Sequence, residues 1–171
     1  TILVTGDVNG NAKLWSTADG DGMIAVKCNG AVRSLSLASD NSMLVSGSAN
    51  GAVTVWDLKS DGAQLLQVAC GGMVYAVCLS EDNTLFATGD QHKCANIWNV
   101  ESGALMQQCQ CGEVVKHVDL NSDNSVLCAG AGSSACIFDV ASGELVQKIE
   151  GGGRTKMTTD AQMLIAVDSA G

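Results

Sequence analysis

Residues 32–37, Val-Arg-Ser-Leu-Ser-Leu, alternate apolar and polar with a period of two, the pattern of a half-buried strand. The Asp40-Asn41 pair that follows reads as a turn, because Asx side chains bond their own backbone and tolerate the left-handed conformation. A second strand, Met43 to Gly47, runs into Asn50-Gly51, a strong hairpin signal. Val53 to Leu58 reads as the third strand. Leu65 to Val68 is the fourth, entered through Asp61-Gly62 and left through Gly71-Gly72. Four short strands and tight turns in ~42 residues leave no room for a helical crossover, so the sheet is predicted to be antiparallel. Proline is absent, and Gly, Asn and Asp carry the turns.

The unit recurs along the chain. Leu3-Val-Thr-Gly-Asp-Val-Asn-Gly10 returns as Leu44-Val-Ser-Gly-Ser-Ala-Asn-Gly51, Phe86-Ala-Thr-Gly-Asp-Gln-His-Lys93 and Leu127-Cys-Ala-Gly-Ala-Gly-Ser-Ser134. A worn fifth copy is Leu164-Ile-Ala-Val-Asp-Ser-Ala-Gly171, and the copies start 41, 42, 41 and 37 residues apart. Each of the first four leads into an aromatic: Trp15, Trp56, Trp98 and Phe138. A second marker precedes the later copies: Asp40-Asn41, Asp82-Asn83, Asp123-Asn124 and, more loosely, Thr159-Asp160-Ala161-Gln162. A fixed period of this length is the signature of a repeat architecture.

The phrase Leu-Val-Ser-Gly-Ser-x-Asn-Gly-x-Val-Thr-Val-Trp-Asp resembles a WD40 repeat, and Trp56-Asp57 supplies the signature dipeptide intact. The others vary: Trp15-Ser16, Trp98-Asn99 and Phe138-Asp139. The resemblance covers essentially the whole chain and implies an all-β propeller of four-stranded antiparallel blades. Residues 32–68, 74–110 and 115–149 are then full blades, with partial ones at 1–28 and 154–171. Propellers of this kind close with about seven blades, so about four repeats imply a segment of a larger ring. A four-bladed ring, in which residues 154–159 complete the first blade, is the alternative. The family commonly carries Gly-His at the blade junctions and an acid in the second hairpin. Here the junctions read Cys28-Asn29-Gly30, Cys70-Gly71-Gly72, Cys111-Gly112-Glu113 and Gly151-Gly152-Gly153, and the hairpin positions are Asn9, Asn50, His92 and Ser133. The buried Asp–His–Ser/Thr–Trp network is therefore expected not to form in its usual way, leaving blades held mainly by apolar packing. The phrasing is also similar to that of heterotrimeric G-protein β subunits, in the repeat and in no partner-specific residue.

Composition narrows the partners. A net charge of −9 argues against a nucleic-acid backbone or an anionic membrane surface. No apolar run approaches the ~20 residues of a membrane-spanning helix, and no leader pattern is visible. The chain opens directly on Ile2-Leu3-Val4 and reads as an excerpt from something longer. Eight cysteines include no C-x-x-C pair; most fall on predicted strands, where a thiol behaves as a small apolar side chain in a reducing, cytoplasmic or nuclear, compartment.

Catalytic chemistry is not legible. His92 falls in a hairpin turn, and His117 reads as a core-facing or interblade histidine; neither has a nucleophile in a recognisable context. Gly151-Gly152-Gly153-Arg154-Thr155-Lys156 lacks phosphate-loop spacing and a following helix. The acidic side chains are scattered through different repeats. No enzyme activity, metal or cofactor is expected. What varies while its neighbours repeat is the position after the first inner-strand valine: Arg33, Tyr75 and Lys116. In propellers resembling this one, that register faces the top entrance of the central channel. Ala49, Met73, Gln91, His92 and Glu113 complete the expected patch. The expected function is a scaffold binding a protein or peptide there, with a preference for acidic or phosphorylated ligands. Such a scaffold could be a subunit of a multiprotein complex. An enzyme or small-molecule binder using the channel, and a purely structural subunit, are the alternatives.

Overall fold

The computed structural model describes residues 1–151, 153–157 and 164–167. The first sheet holds β1 (Ile2–Gly6), β2 (Asn11–Ser16) and β3 (Gly22–Lys27). The second holds β4 (Val32–Leu37), β5 (Met43–Ser48), β6 (Ala52–Asp57) and β7 (Ala63–Ala69). The third holds β8 (Val74–Leu79), β9 (Leu85–Asp90), β10 (Cys94–Asn99) and β11 (Leu105–Gln110). The fourth holds β12 (Val115–Leu120), β13 (Val126–Ala131), β14 (Ser134–Asp139) and β15 (Leu145–Glu150). β16 (Arg154–Met157) pairs with β17 (Leu164–Val167). Every pairing is antiparallel, and within each sheet a strand lies beside the next in sequence, as the short turns require. The fourfold blade repeat is all-β, as expected. Among the described residues β16 pairs with β17 and not with β1. The marker at Thr159–Gln162 and the last four residues of the fifth copy lie outside the described residues.

Blade packs on blade through the residues that repeat. Val45, Val53 and Val55 of the second blade bury against Phe86 and Trp98 of the third; Ala87, Ala95 and Ile97 of the third bury against Leu127 and Phe138 of the fourth. The glycine of each phrase has a reason. A methyl group at Gly47 would lie 2.7 Å from Val74 Cγ1, and one at Gly89 would lie 2.6 Å from Val115 Cγ1. The first inner-strand valine of each following blade fills that space, which only glycine leaves open.

The Asp-Asn marker does more than turn the chain. Asn41, Asn83 and Asn124 take φ of 56°, 61° and 59°, the left-handed region that Asn tolerates. Asp40, Asp82 and Asp123 accept hydrogen bonds from the backbone N–H two residues on. Asn83 Nδ2 also donates to Asp40 of the preceding blade (3.4 Å), and Asn124 Nδ2 to Asp82 (2.9 Å). The turn residues thus stitch neighbouring blades together.

The usual network lacks its histidine, as expected, but three blades keep its tryptophan–hydroxyl part beside the apolar packing. Trp15, Trp56 and Trp98 donate from Nε1 to Thr5, Ser46 and Thr88 at 2.8, 2.9 and 3.0 Å. In the third blade the junction thiol of Cys70 reaches the same Thr88 hydroxyl at 3.4 Å. Hairpin carboxylates are present as well, two residues ahead of Asn9 and His92. Asp7 accepts from the N–H groups of Asn9 and Asn11, and Asp90 from those of His92 and Cys94. Without the junction histidine, a hydroxyl, an indole and a cysteine still connect.

Candidate functional site

Inner strands β4, β8 and β12 lie side by side, and each begins with an irregularity at the same place. The register shifts between Val32 and Ser34, between Val74 and Ala76, and between Val115 and His117. The skipped residues are Arg33, Tyr75 and Lys116. A β-bulge leaves its extra residue out of the ladder and re-aims its side chain. These three positions carry no share of the sheet's pairing.

Bulge geometry gathers all three on one cavity of about 380 Å³, together with Ser34, His117, Asp119, Thr155 and Lys156. Arg33 and Lys116 are exposed and Tyr75 is half-buried. A second cleft of about 500 Å³ adjoins it, sharing Tyr75 and Lys116 and adding Lys93, Glu113 and Gly132. Asp119 forms the floor. It is 6% exposed, accepts from the Met157 N–H at 2.7 Å, pairs with Lys156 Nζ at 3.2 Å and takes the Cys78 thiol at 3.6 Å. One carboxylate therefore pins β12 to β8 and β16. Its counterparts in the earlier inner strands are Ser36 and Cys78, and Ser36 plays a neutral form of the same part by accepting the Leu79 N–H at 3.0 Å.

His117 is half-buried and lines this cavity between blades, which fits the interblade reading and not the core-facing one. Burial first, then the fields of Arg154 and Lys116, push its pKa below the usual imidazole value. The imidazole is thus held neutral at physiological pH.

Of the other predicted residues, Glu113 lines the adjoining cleft. Met73 and Gln91 hold each other, Gln91 N donating to the Met73 carbonyl (3.0 Å) and Met73 N to Gln91 Oε1 (3.4 Å). Ala49 is half-buried, its N–H bonded to the Ala31 carbonyl at 2.9 Å, and it lines neither cleft. His92 belongs to different surroundings. Its ring lies against Gly71 and Gly72, and it borders a separate polar cavity of about 350 Å³ with Cys70, Asp90, Cys94, Asn96, Gln108 and Gln110. In that cavity Asn96 Nδ2 donates to Asp90, Gln108 Nε2 to Asn96, and Gln110 Nε2 to the Cys94 sulfur, so the ladder of side chains is internally bonded.

Sequence reasoning missed Lys93, Thr155 and Lys156. Following the inner-strand register into the fifth copy leads to the latter two, which the search for a phosphate loop had set aside. All eight cysteines are free thiols, and no cluster of three or more His, Cys, Asp or Glu suited to a metal occurs among the described residues. Burial raises the thiol pKa values, to about 11 at Cys70, Cys78, Cys109 and Cys128, which disfavours the nucleophilic thiolate.

Residues 21–57 and 64–99 match the family model described as WD domain, G-beta repeat. No curated protein matches the chain.

Proposed function

With residues 21–99 a WD40 repeat domain, we propose that the chain is a non-catalytic scaffold that binds a protein or peptide across the cavity between Arg33, Tyr75 and Lys116. WD40 domains are commonly interaction scaffolds and generally bind proteins. The observation that carries the reading is the triple bulge. Three inner strands each release one residue from pairing, and the three released side chains line one cavity. Arg and Tyr are typical anchors of binding surfaces, because each combines apolar area with directed polar contacts. The reading includes a reducing compartment, cytoplasmic or nuclear, consistent with buried free thiols, and membership of a multiprotein assembly.

The test is affinity capture from cell extract with the chain and with its Arg33→Ala/Tyr75→Ala/Lys116→Ala variant, both shown to be folded by their melting curves. Loss of a specific partner from the variant supports the reading. The same partners on both proteins would move the contact to another face.

A further inference from the structure

The cavity between the inner strands is enriched in positive charge on an acidic chain. The cavity and its adjoining cleft take four of the nine basic side chains, Arg33, Lys93, Lys116 and Lys156, but only two of eighteen acidic ones, Asp119 and Glu113. Of the two carboxylates, Asp119 is already engaged, and Glu113 lies in the adjoining cleft. Asp119 is bound by Lys156 and the Met157 N–H. Among the described residues Arg33, Lys93, Lys116 and Arg154 have no ion-pair partner. We infer that the group received here is a phosphorylated side chain of a peptide, held between Arg33, Lys116 and the Tyr75 hydroxyl. The inference rests on the scaffold reading and names the chemistry of its ligand.

Several features favour a phosphate ester over a carboxylate. A phosphoserine carries about −1.5 to −2 charge at pH 7 and three strong acceptor oxygens. Cations converging from three separate strands match that better than a single negative charge does. Arginine offers a planar pair of donors suited to phosphate, and lysine a point charge. His117 is neutral and can donate from one ring nitrogen. A cavity of about 380 Å³ accepts one such side chain with water, not a folded domain. The acidic remainder of the surface repels an anionic peptide elsewhere and so directs it to this end.

The experiment passes three oriented peptide libraries over the immobilised chain, with a central position fixed as phosphoserine, serine or glutamate. The phosphoserine library should be retained about tenfold over the serine one, with glutamate between them. Arg33→Gln/Lys116→Gln should abolish the difference, whereas the charge-preserving Arg33→Lys/Lys116→Arg should retain part of it, both at unchanged melting temperature. Equal retention of phosphoserine and serine libraries, or a preference that survives the glutamine pair, overturns the inference. Inorganic phosphate binding as tightly as the phosphoserine peptides would also overturn it, because the site would then take the free anion with no contribution from the peptide. If serine peptides are retained and the Arg33/Tyr75/Lys116 alanine variant loses them, the scaffold reading stands and the phosphate inference falls. If no library is retained and the alanine variant captures the same partners as the parent, both fall.

Discussion

The third and fourth blades share one backbone plan and fill it with opposite chemistry. In the third, Trp98 donates to Thr88, Cys70 meets the same hydroxyl, and Asn96 bridges Thr88 to Asp90. In the fourth, Phe138 stands for the tryptophan and Ala129 for the threonine, both buried, and Ala131 stands for the hairpin aspartate. The hairpins differ accordingly. Asp90 caps a longer turn through the N–H groups of His92 and Cys94, whereas β13 and β14 close directly over Gly132-Ser133, with Ala131 opposite Ser134 and Gly132 at φ 57°. Donor, acceptor and cap are absent together. The second blade keeps the Trp56–Ser46 bond with Ser48 in place of the aspartate, so the cap can be lost alone. The lesson is that the indole and its acceptor go together, because an orphaned buried donor costs more than a missing bond.

The largest expected effect tests what the two blades share. Trp98→Ala and Phe138→Ala should each cost about 3–5 kcal/mol by opening a cavity, read as loss of the cooperative melt. A much smaller cost for Phe138→Ala would mean that the apolar blade is loosely packed. Next comes the half-broken relay. Thr88→Val, which leaves the Trp98 indole N–H without its acceptor, should cost about 1–3 kcal/mol in denaturant unfolding. Converting the third blade to the chemistry of the fourth, Thr88→Ala with Trp98→Phe, should cost less than the sum of the single changes. The expected coupling is about 0.5–1.5 kcal/mol; strict additivity would show that the two side chains act independently.

The smallest effect concerns the seam between these blades. Burial works against the Asp82 carboxylate, but hydrogen bonds from Ser80, Thr84 and Asn124 outweigh it and hold its pKa down to about 2. A carboxylate depressed in the folded state contributes stability above its unfolded pKa of about 4 and loses it as pH falls towards about 2. The melting temperature should therefore drop through that window. Asn124→Ala should shallow the drop slightly while lowering the melting temperature at neutral pH.

Much of this was written in the repeat. The alternation of residues 32–37 and the Asn50-Gly51 turn mark β4 to β6 almost to the residue, because strand period and turn chemistry are local. β7 is longer than its apolar run, since Ala63 and Ala69 pair with Asp57 and Ala52 without needing burial. The tryptophan acceptors were also visible: Thr5, Ser46 and Thr88 each precede the aromatic by ten residues. The Asn83–Asp40 and Asn124–Asp82 stitches were not legible, because they join residues about one repeat apart whose side-chain directions follow only from blade stacking. At the candidate site, variation singled out Arg33, Tyr75 and Lys116 without revealing the bulge that takes them out of the ladder. His92 and Ala49 were grouped with them by sequence position alone, and packing turns them elsewhere.

The central claim, that the bulge residues form the contact surface, is tested most directly by a photo-cross-linking amino acid placed at position 75. The control carries it at Leu65, an exposed position on the outer strand of the second blade. Irradiation in cell extract should yield a discrete adduct from position 75, reduced by the Arg33→Ala/Lys116→Ala pair, and none from position 65. A discrete adduct from position 65 with none from position 75 would contradict the account.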